Sequence, residues 1–482
     1  MRGQGRALAR RRAGAPGLLG YVVHAQTAES VARLGAWVAD LRWSDVPADV
    51  AERHQLIWAD YLTVASAGAQ LPEYRSLLES WPLPAGEVPI PGTTITTVAE
   101  LAAWVIGTVG VALEQDEGNK FAKGHPAAHV LPAVLALGIT RGASGEDCAL
   151  AVAAGYEVAA RFGRATSLGG GAHPHGNWGV AAAAAGCAKL LGLDAAGVAA
   201  AIDHGSGMGI AGHFSSALDG NLVRNSWMGA AQMSGIASAY LAAAGSAQNT
   251  GTAAPVLGGI LGGWDPSALI EQLGERWDAR SNYFKVHAAC AFTHPPIDAV
   301  LALADRHPHL RDVPTAGFAE IDVHTHALAA GLVDAEPESR LAAMFSIPYV
   351  VAVALREGQI TPAQHGPERL NDPDVRALAA KVRVHDDDAL TARLPQERVA
   401  RVRIELTDGT EYTEEVPNPI GDSDFAPLDA AALHSKGGRL IDPVLVARIW
   451  MFAEQLVASS SVPELCDLLR WPAAENMTES KE

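Results

Sequence analysis

The sequence predicts a mainly α-helical protein in which a large helical domain precedes a smaller α+β domain. Residues 29–280 carry apolar side chains at the spacing of amphipathic or buried helices, with many alanines and glycines. From residue 281 the pattern changes, because short segments alternate apolar and polar residues with the period of two that is typical of strands. We therefore assign residues 281–425 to the second domain. Residues 426–475 return to helical spacing and are expected to pack back on the first domain.

Capping signals mark several helices of the first domain. The segment AESVARLGAWVADL is amphipathic, and the next helical segment has Pro47 near its start. Ser144 precedes a long segment of helical periodicity and is suited to cap it. Further on, Gly192 is expected to end one helix and Asp194 to cap the next. The abundant small residues predict closely packed helices, since small side chains let backbones approach each other.

The second domain contains strand-like segments around one helical segment. GFAEIDVHTHAL, KVRVHDDDAL and ARVRIELTDGTEYTEEV read as strands, and Asp408-Gly409 predicts a tight hairpin turn in the last of them. RLAAMFSIPYVVAVALREGQI is predicted to be one helix that ends near Gly358. DPVLVARIWMFAEQLVAS then begins the C-terminal helical part.

Composition and charge exclude several classes of protein. The 482 residues carry a formal net charge of −18, which argues against nucleic acid or an anionic membrane as partner. A local cationic pocket for a small anion remains compatible with this charge. No apolar run reaches the roughly 18 residues of a membrane helix. The four cysteines lie far apart, so neither structural zinc nor disulfides are expected and a cytoplasmic location fits. The arginine-rich residues 1–28 are predicted to be a disordered extension.

The polar segment LEQDEGNKFAKGHPAAHVLP, residues 113–132, is the first candidate site. His125 and His129 have the spacing of a helical metal-binding pair. Pro126 weighs against this interpretation because it disfavours a helical backbone at His125, and no third ligand is evident. Lys120 and Lys123 in the same segment are either part of a cationic pocket or ordinary surface lysines.

Two further segments carry histidines. GGGAHPHGNWG places His173 and His175 in a glycine-rich turn that is either a ligand loop or only a flexible one. VHTHA places His324 and His326 on one strand face, which more often is simply exposed. Since no nucleotide-binding or serine-hydrolase motif is present, the polar residues indicate acid/base chemistry on an anionic small molecule.

Seven segments in order resemble the MmgE/PrpD family, which includes 2-methylcitrate dehydratase, cis-aconitate decarboxylase and iminodisuccinate epimerase. They are YLTVASAG, LEQDEGNKFAKGHPAAHVLPAVLAL, GASGEDCALAVAAGYEVAARFGRA, HPHGNWGVAAAAAGCAKLLGLD, DGNLVRNSWMGAAQMSG, YFKVHAACAFTHPPIDA and FSIPYVVAVALREG. The resemblance spans residues 30–470. It implies a large all-helical domain, an α+β lid domain over residues 281–425, and usually a homodimer. It also implies a site between domain and lid that needs no metal or organic cofactor.

The resemblance implies four catalytic residues. His125 matches the histidine of the family's HP motif after an acidic run, and His173 matches that of the second HP motif. Lys285 corresponds to the lysine before the TH..IDA motif, and Tyr349 to the tyrosine of FS.PY. The residues expected to bind substrate are Glu114, Lys123, Arg224 and Cys290.

The chain departs from the family pattern at several of these positions. Glu114 stands where aspartate is common, and Gly118 where serine or threonine is common. Arg224 replaces a lysine, Trp227 a histidine, and Cys290 a lid histidine of decarboxylase-like members. These departures put the exact substrate in doubt and count most against cis-aconitate decarboxylase. Arginine in place of lysine still supplies a cation.

The predicted function is that of a cofactor-independent, dehydratase-type lyase on a small hydroxy di- or tricarboxylate. His125 or His173 would remove a proton next to a carboxylate, and Tyr349 or the other histidine would be the acid. Lys285 and Arg224 would hold carboxylates, with Glu114 orienting a neighbour. An epimerase or decarboxylase on the same scaffold and a catalytically silent relative are the alternatives. A metallohydrolase using one of the histidine pairs is the remaining one.

Overall fold

The computed structural model describes residues 18–471. The first helix begins at Leu18. It therefore includes residues 18–28 of the segment that was predicted to be a disordered extension. Residues 1–17 lie outside the described residues, as do the last residues of the predicted C-terminal part. Within the described part of the chain, no helix combines the length and apolar character needed to cross a membrane.

Long helices dominate the N-terminal half of the chain and surround an alanine-rich core. Their bounds are α1 (Leu18–Asp40), α2 (Ala48–Ala69), α3 (Pro72–Ser80), α4 (Ala99–Val109), α5 (Pro126–Arg141), α6 (Gly145–Ala165), α7 (Gly179–Leu190), α8 (Ala195–Gly207), α9 (Ser215–Leu218) and α10 (Val223–Ala243). Two-stranded pairings join their loops: β1 (Val88–Pro89) with β2 (Thr96–Thr97), β3 (Gly118–Asn119) with β6 (Asn282–Tyr283), and β4 (Thr166–Leu168) with β5 (Gly262–Trp264).

The sequence signals for these helices act as predicted. The Ser144 Oγ accepts a hydrogen bond of 3.1 Å from the Asp147 amide at the start of α6. Asp194 caps α8 in the same way, through a bond of 2.8 Å from the Gly197 amide. The small residues also serve close packing, because a Cβ added to Gly235 on α10 would lie 2.3 Å from the Ala183 Cβ on α7. The long helices and the small sheets confirm the mainly helical fold class.

The lid domain is built on one mixed sheet covered by helices. Its strands are β7 (Phe318–Thr325), β8 (Val382–Asp386), β9 (Ala400–Leu406) and β10 (Glu411–Val416), in the order β10-β9-β7-β8. Only the β7–β8 pair is parallel within this sheet. Its helices are α11 (His294–Arg306), α12 (Arg340–Met344), α13 (Ile347–Glu357), α14 (Pro367–Leu370), α15 (Pro373–Ala379) and α16 (Asp388–Thr391).

Local signals in the lid were right at the turns and wrong at one helix. Gly409 has a φ of +85°, and the Asp408 Oδ1 accepts a 2.9 Å bond from the Thr410 amide, so the predicted hairpin turn is confirmed. The segment predicted as one helix is instead divided into α12 and α13. Pro348 has no amide to continue the first helix, and the Ser346 Oγ caps the second at a distance of 3.0 Å from the Tyr349 amide.

The C-terminal helices α17 (Ala430–Gly438) and α18 (Pro443–Gln455) pack against α2 of the helical domain. The rings of Trp58 and Phe452 lie 6.0 Å apart, centroid to centroid, in this contact. The buried Lys436 Nζ lies 2.7 Å from the Asp60 Oδ1 and 2.8 Å from the Gln115 carbonyl oxygen. Since Gln115 lies in the polar segment 113–132, the end of the chain helps to hold that segment in place.

Candidate active site

A cavity of about 770 Å³ lies where the helical domain meets the lid. Both domains contribute to its wall. Charged and histidine side chains on it are Glu114, Lys120, Lys123, His125, Arg164, His173, Arg224, Glu271 and Arg398, and the lid adds Cys290, Phe292, Leu328 and Phe345. The cations on this wall outnumber the carboxylates, which suits an anionic ligand.

The segment 113–125 is held in an irregular conformation that turns its polar side chains inward. Glu114 and Lys123 have positive φ angles of 51° and 58°, which is uncommon outside glycine. The Asn119 Oδ1 accepts bonds from the Phe121 and Ala122 amides at 3.1 and 3.0 Å, and its Nδ2 donates to the Asp278 carbonyl at 2.8 Å. These bonds fix the loop as it approaches α5.

His125 sits at the N-cap of α5 with its ring on the cavity wall. Its φ of −122° and ψ of 79° are not helical, as the following Pro126 predicts. The Nδ1 lies 2.7 Å from the Glu117 carbonyl oxygen and 2.9 Å from the Asp116 Oδ2. Both neighbours are acceptors, so Nδ1 carries the hydrogen and Nε2 keeps its lone pair. Within residues 18–471, no hydrogen-bond partner meets Nε2.

Asp116 is a site residue that the sequence analysis did not select. Burial acts to raise the pKa of its carboxyl, but the attraction of His125 and Lys285 outweighs burial and holds that pKa below its ordinary value. Asp116 is therefore a carboxylate at neutral pH. It is placed to stabilise an imidazolium on His125, which is what a proton-abstracting histidine needs. Its position in the polar segment, before the HP motif, was the only signal available.

Glu114, Arg224 and Lys285 form a buried charge cluster. Glu114 pairs with the Arg224 guanidinium through one oxygen, and its Oε2 lies 3.1 Å from the Lys285 Nζ. Burial favours a neutral Glu114, yet the two cations outweigh it and lower the pKa of this carboxyl. Lys285 is buried and is not among the residues that line the cavity, whereas Glu114, which it contacts, does line it. The predicted substrate contact of Lys285 therefore becomes a contact with the acid that faces the cavity.

Arg224 reaches the wall but has no donor left for a ligand. Its terminal nitrogens lie 3.2 Å from the Val111 carbonyl, 2.9 Å from the Asn225 Oδ1 and 3.2 Å from the His175 Nε2, besides the pair with Glu114. Its Nε faces the His173 ring at 3.5 Å. A guanidinium has five N–H groups, and all of them point at protein. We therefore assign Arg224 to organising the site rather than gripping substrate.

His173 lines the cavity as a neutral imidazole. Burial, followed by the charge of Arg224, lowers its pKa well below the ordinary value. Its Nδ1 lies 3.1 Å from the His175 amide and its Nε2 lies 3.5 Å from the Arg224 Nε, so both ring nitrogens face donors of the protein. The ring stacks on Phe214 with centroids 5.2 Å apart. His173 is therefore a weak base, because burial and the Arg224 charge both disfavour its protonated form.

The remaining predicted wall residues have distinct environments. The Lys123 Nζ donates to the Thr166 carbonyl at 2.6 Å, and burial, then Arg164, lower its pKa. Cys290 lies on the lid side of the cavity, and burial raises the pKa of its thiol to about 11, so it stays protonated. Both residues reach the wall, as predicted.

Tyr349 is not brought to the cavity. Its hydroxyl donates a 2.5 Å bond to the Gln364 carbonyl, and its ring is buried in the lid core. The phenol already has a backbone partner in the lid, and burial raises its pKa. The predicted acid role of Tyr349 therefore has no geometric support here.

Gly118 is explained by Tyr283, which faces it across the β3–β6 pair. A Cβ at Gly118 would lie 2.3 Å from the Tyr283 Oη. The tyrosine ring fills the space that a serine or threonine side chain would need, and it also lines the cavity. Glycine at position 118, where the family pattern has serine or threonine, thus accommodates the ring of Tyr283.

The histidine pairs do not assemble metal sites. His129 uses Nδ1 to donate to the His125 carbonyl at 2.9 Å and Nε2 to accept from the Gly176 amide at 3.2 Å, so neither nitrogen is free. The His324 ring stacks on His385, whereas His326 is buried against Phe292, which is not the exposed face predicted. Among the described residues, no group of three or more His, Cys, Asp or Glu side chains is arranged around a metal position.

We predict that Glu117→Gln flattens the pH dependence of stability. The Glu117 carboxyl accepts bonds from the Ala127 amide and the Tyr156 hydroxyl, and burial raises its pKa from 4.5 to about 8. The folded protein holds this proton where the unfolded chain has lost it. Stability from this group is therefore full below pH 4.5 and falls as the pH rises to 8, by about 1 kcal/mol per pH unit.

Thermal melts of wild type and the Glu117→Gln variant across pH 4.5–8 check this prediction. Glutamine can accept from the Ala127 amide through its carbonyl oxygen and donate its amide to the Tyr156 hydroxyl oxygen, without a titrating proton. The wild type should therefore lose stability relative to the variant as pH rises. Other buried groups titrate in both proteins and cancel in the difference. Parallel curves would contradict the assignment.

Fold and cavity together define a two-domain protein in which an α+β lid closes a cation-lined cleft over a carboxylate-supported histidine. The chain belongs to the MmgE/PrpD family: residues 32–262 match the MmgE/PrpD N-terminal domain and residues 287–456 the C-terminal domain. The family resemblance is therefore confirmed.

Curated relatives match nearly the whole chain at low identity. A cis-aconitate decarboxylase from Aspergillus terreus (strain NIH 2624 / FGSC A1156) is 27% identical over 93% of this chain and 98% of its own length. A second Aspergillus terreus cis-aconitate decarboxylase is 28% identical with the same coverage. The cis-aconitate decarboxylase-like protein oryM from Aspergillus oryzae (strain ATCC 42149 / RIB 40) is 25% identical over 91% of this chain and 96% of its own.

Proposed function

We propose that the protein is a lyase that acts on a small di- or tricarboxylate by removing a proton next to a carboxylate, with His125 as the base. The observation that carries this proposal is the state of His125. Its Nδ1 donates to the Glu117 carbonyl with the Asp116 carboxylate 2.9 Å away, and in the neutral imidazole its Nε2 carries a lone pair at the wall of a cation-rich cavity. This arrangement makes His125 a competent base and Asp116 the counter-charge of the imidazolium that forms.

The later steps use the same groups. Proton removal leaves an enediolate-like charge, which the cationic wall of the cavity can stabilise. In dehydration, the imidazolium of His125 can pass its proton to the leaving hydroxyl. With Tyr349 occupied in the lid core, His125 and His173 are the proton-handling groups that we propose.

A decarboxylase is the second candidate, because the curated relatives are named cis-aconitate decarboxylases. The thiol of Cys290 stands where decarboxylase-like members were expected to carry histidine, and a protonated thiol is a weaker proton donor to carbon at neutral pH than an imidazolium. This chemistry keeps dehydration of a hydroxy acid as the leading proposal. The homodimer and the cytoplasmic location remain predictions.

A substrate screen tests the proposal. Citrate, 2-methylcitrate, cis-aconitate and an imino-linked dicarboxylate are offered to the purified protein in D₂O, and ultraviolet absorbance, carbon dioxide release and NMR are followed. Appearance of a conjugated alkene supports the dehydratase, and carbon dioxide release supports the decarboxylase. Deuterium uptake without either product would indicate an epimerase. No exchange with any of these acids would contradict the proposal.

A further inference from the structure

The cations on the cavity wall differ in whether a protein carboxylate already neutralises them. The Lys120 Nζ lies 3.1 Å from Asp422 and 2.7 Å from Asp424. Arg164 is paired with Asp278 at 2.6 Å, and Arg224 with Glu114. Among residues 18–471, Lys123 and Arg398 have no carboxylate partner. Of these two, the Lys123 Nζ already donates to a backbone carbonyl.

Arg398 is buried as well as unpaired. Its exposed fraction is 6%, and its side chain lines the cavity. Burying a charge without a partner is costly, so a buried guanidinium that lines a cavity is suited to bind an anion. Three arginines nearby in the chain differ from Arg398, since Arg393, Arg401 and Arg403 all pair with carboxylates of the protein.

The backbone around Arg398 is held from both domains. The Arg398 amide lies 3.0 Å from both the Pro417 carbonyl and the Asn418 Oδ1. The Gln396 carbonyl accepts from the Asn418 Nδ2 at 3.1 Å and from the Lys120 Nζ of the helical domain at 3.2 Å. The segment that carries Arg398 is therefore fixed, which lowers the entropy lost when a ligand binds.

Tyr283 directs the guanidinium. The Arg398 Cζ lies 4.7 Å from the centroid of the Tyr283 ring, within the range of a cation–π contact. Tyr283 in turn occupies the space opened by Gly118, where a Cβ would clash with its hydroxyl. Gly118, Tyr283 and Arg398 thus form one unit across the domain junction, and two of its members line the cavity.

We propose that Arg398 binds a carboxylate group of the substrate and so determines which acid the cavity accepts. The planar fork of a guanidinium matches a carboxylate, and bidentate contact would satisfy the charge that the protein leaves open. Substrate then bridges His125 of the helical domain and Arg398 of the lid. This inference rests on the proposed function and adds the residue that recognises the acid.

Calorimetric titration tests the inference, with citrate, 2-methylcitrate and cis-aconitate as probes. Binding is measured in the His125→Gln background, so that no ligand is consumed. Arg398→Met is expected to weaken binding of the acid that binds best by about tenfold to hundredfold, since a charge-assisted hydrogen-bonded pair is lost. Arg401→Met is the matched control, because Arg401 lies on β9, is exposed and pairs with Glu415. The Arg401→Met variant should bind the acid as tightly as the His125→Gln parent does.

Each outcome decides between the claims. Equal affinity of the Arg398→Met and Arg401→Met variants would overturn the inference and leave the proposed function standing. Failure of every probe to bind both the His125→Gln protein and the wild type would overturn the proposed function and the inference with it. If the Arg398→Met variant does not fold, Arg398→Gln keeps a polar group while removing the charge. Its affinity for the acid is then compared with that of the Arg401→Met variant.

Discussion

Replacing His125 by glutamine is expected to reduce turnover of the acid identified in the screen by at least a factor of about 10²–10⁴, while leaving the fold intact. His125 contributes its ring to the cavity wall, and the capping of α5 does not depend on that ring. Glutamine can still donate to Asp116 or the Glu117 carbonyl, but it has no basic nitrogen. Solvent deuterium exchange into the substrate should disappear together with product formation.

Two further variants test whether the loss of activity is specific to His125. His324→Gln removes a lid histidine that stacks on His385 outside the cavity wall, and it should retain full activity. His173→Gln should lose less activity than His125→Gln, because burial and the Arg224 charge lower the pKa of His173 and make it a weak proton acceptor. A larger loss of activity in His173→Gln than in His125→Gln would assign the base to His173. Wild-type turnover of the His125→Gln protein would show that His125 is not the base.

Replacing Arg224 by methionine is expected to lower the free energy of unfolding by about 3–5 kcal/mol, the usual result of removing one partner from a buried ion pair. Glu114 would then share Lys285 with Asp116, leaving more buried negative than positive charge. The His175 Nε2, the Val111 carbonyl and the Asn225 amide oxygen would lose their donor as well. Chemical or thermal unfolding measures the change.

A double variant separates charge imbalance from lost packing. Glu114→Gln combined with Arg224→Met leaves Lys285 facing Asp116, so a substantial part of the stability should return. Arg401→Met breaks an exposed pair and should change stability by no more than about 1 kcal/mol. If Arg224→Met were as stable as that surface control, Arg224 would have to be free for ligand, contrary to the contacts described.

The sequence determined the elements whose causes lie within a few residues. Ser144 and Asp194 cap their helices, Asp408-Gly409 makes a hairpin, and Pro126 keeps His125 out of the helix, because each effect acts through the neighbouring backbone. The motif order also identified the family. Six residues that the sequence selected as site candidates line the cavity of the structure: Glu114, Lys123, His125, His173, Arg224 and Cys290.

Only the tertiary structure decided which of these side chains are free to act. Arg224 and Arg398 are the same residue type in different environments. Arg224 donates to protein acceptors, whereas Arg398 lies over the Tyr283 ring and lines the cavity. Tyr349 matches a motif but donates to Gln364, while Asp116 matches none and lies 2.9 Å from His125. For the two arginines, the deciding neighbours Val111 and Tyr283 lie more than a hundred positions away, and local sequence carries no record of such contacts.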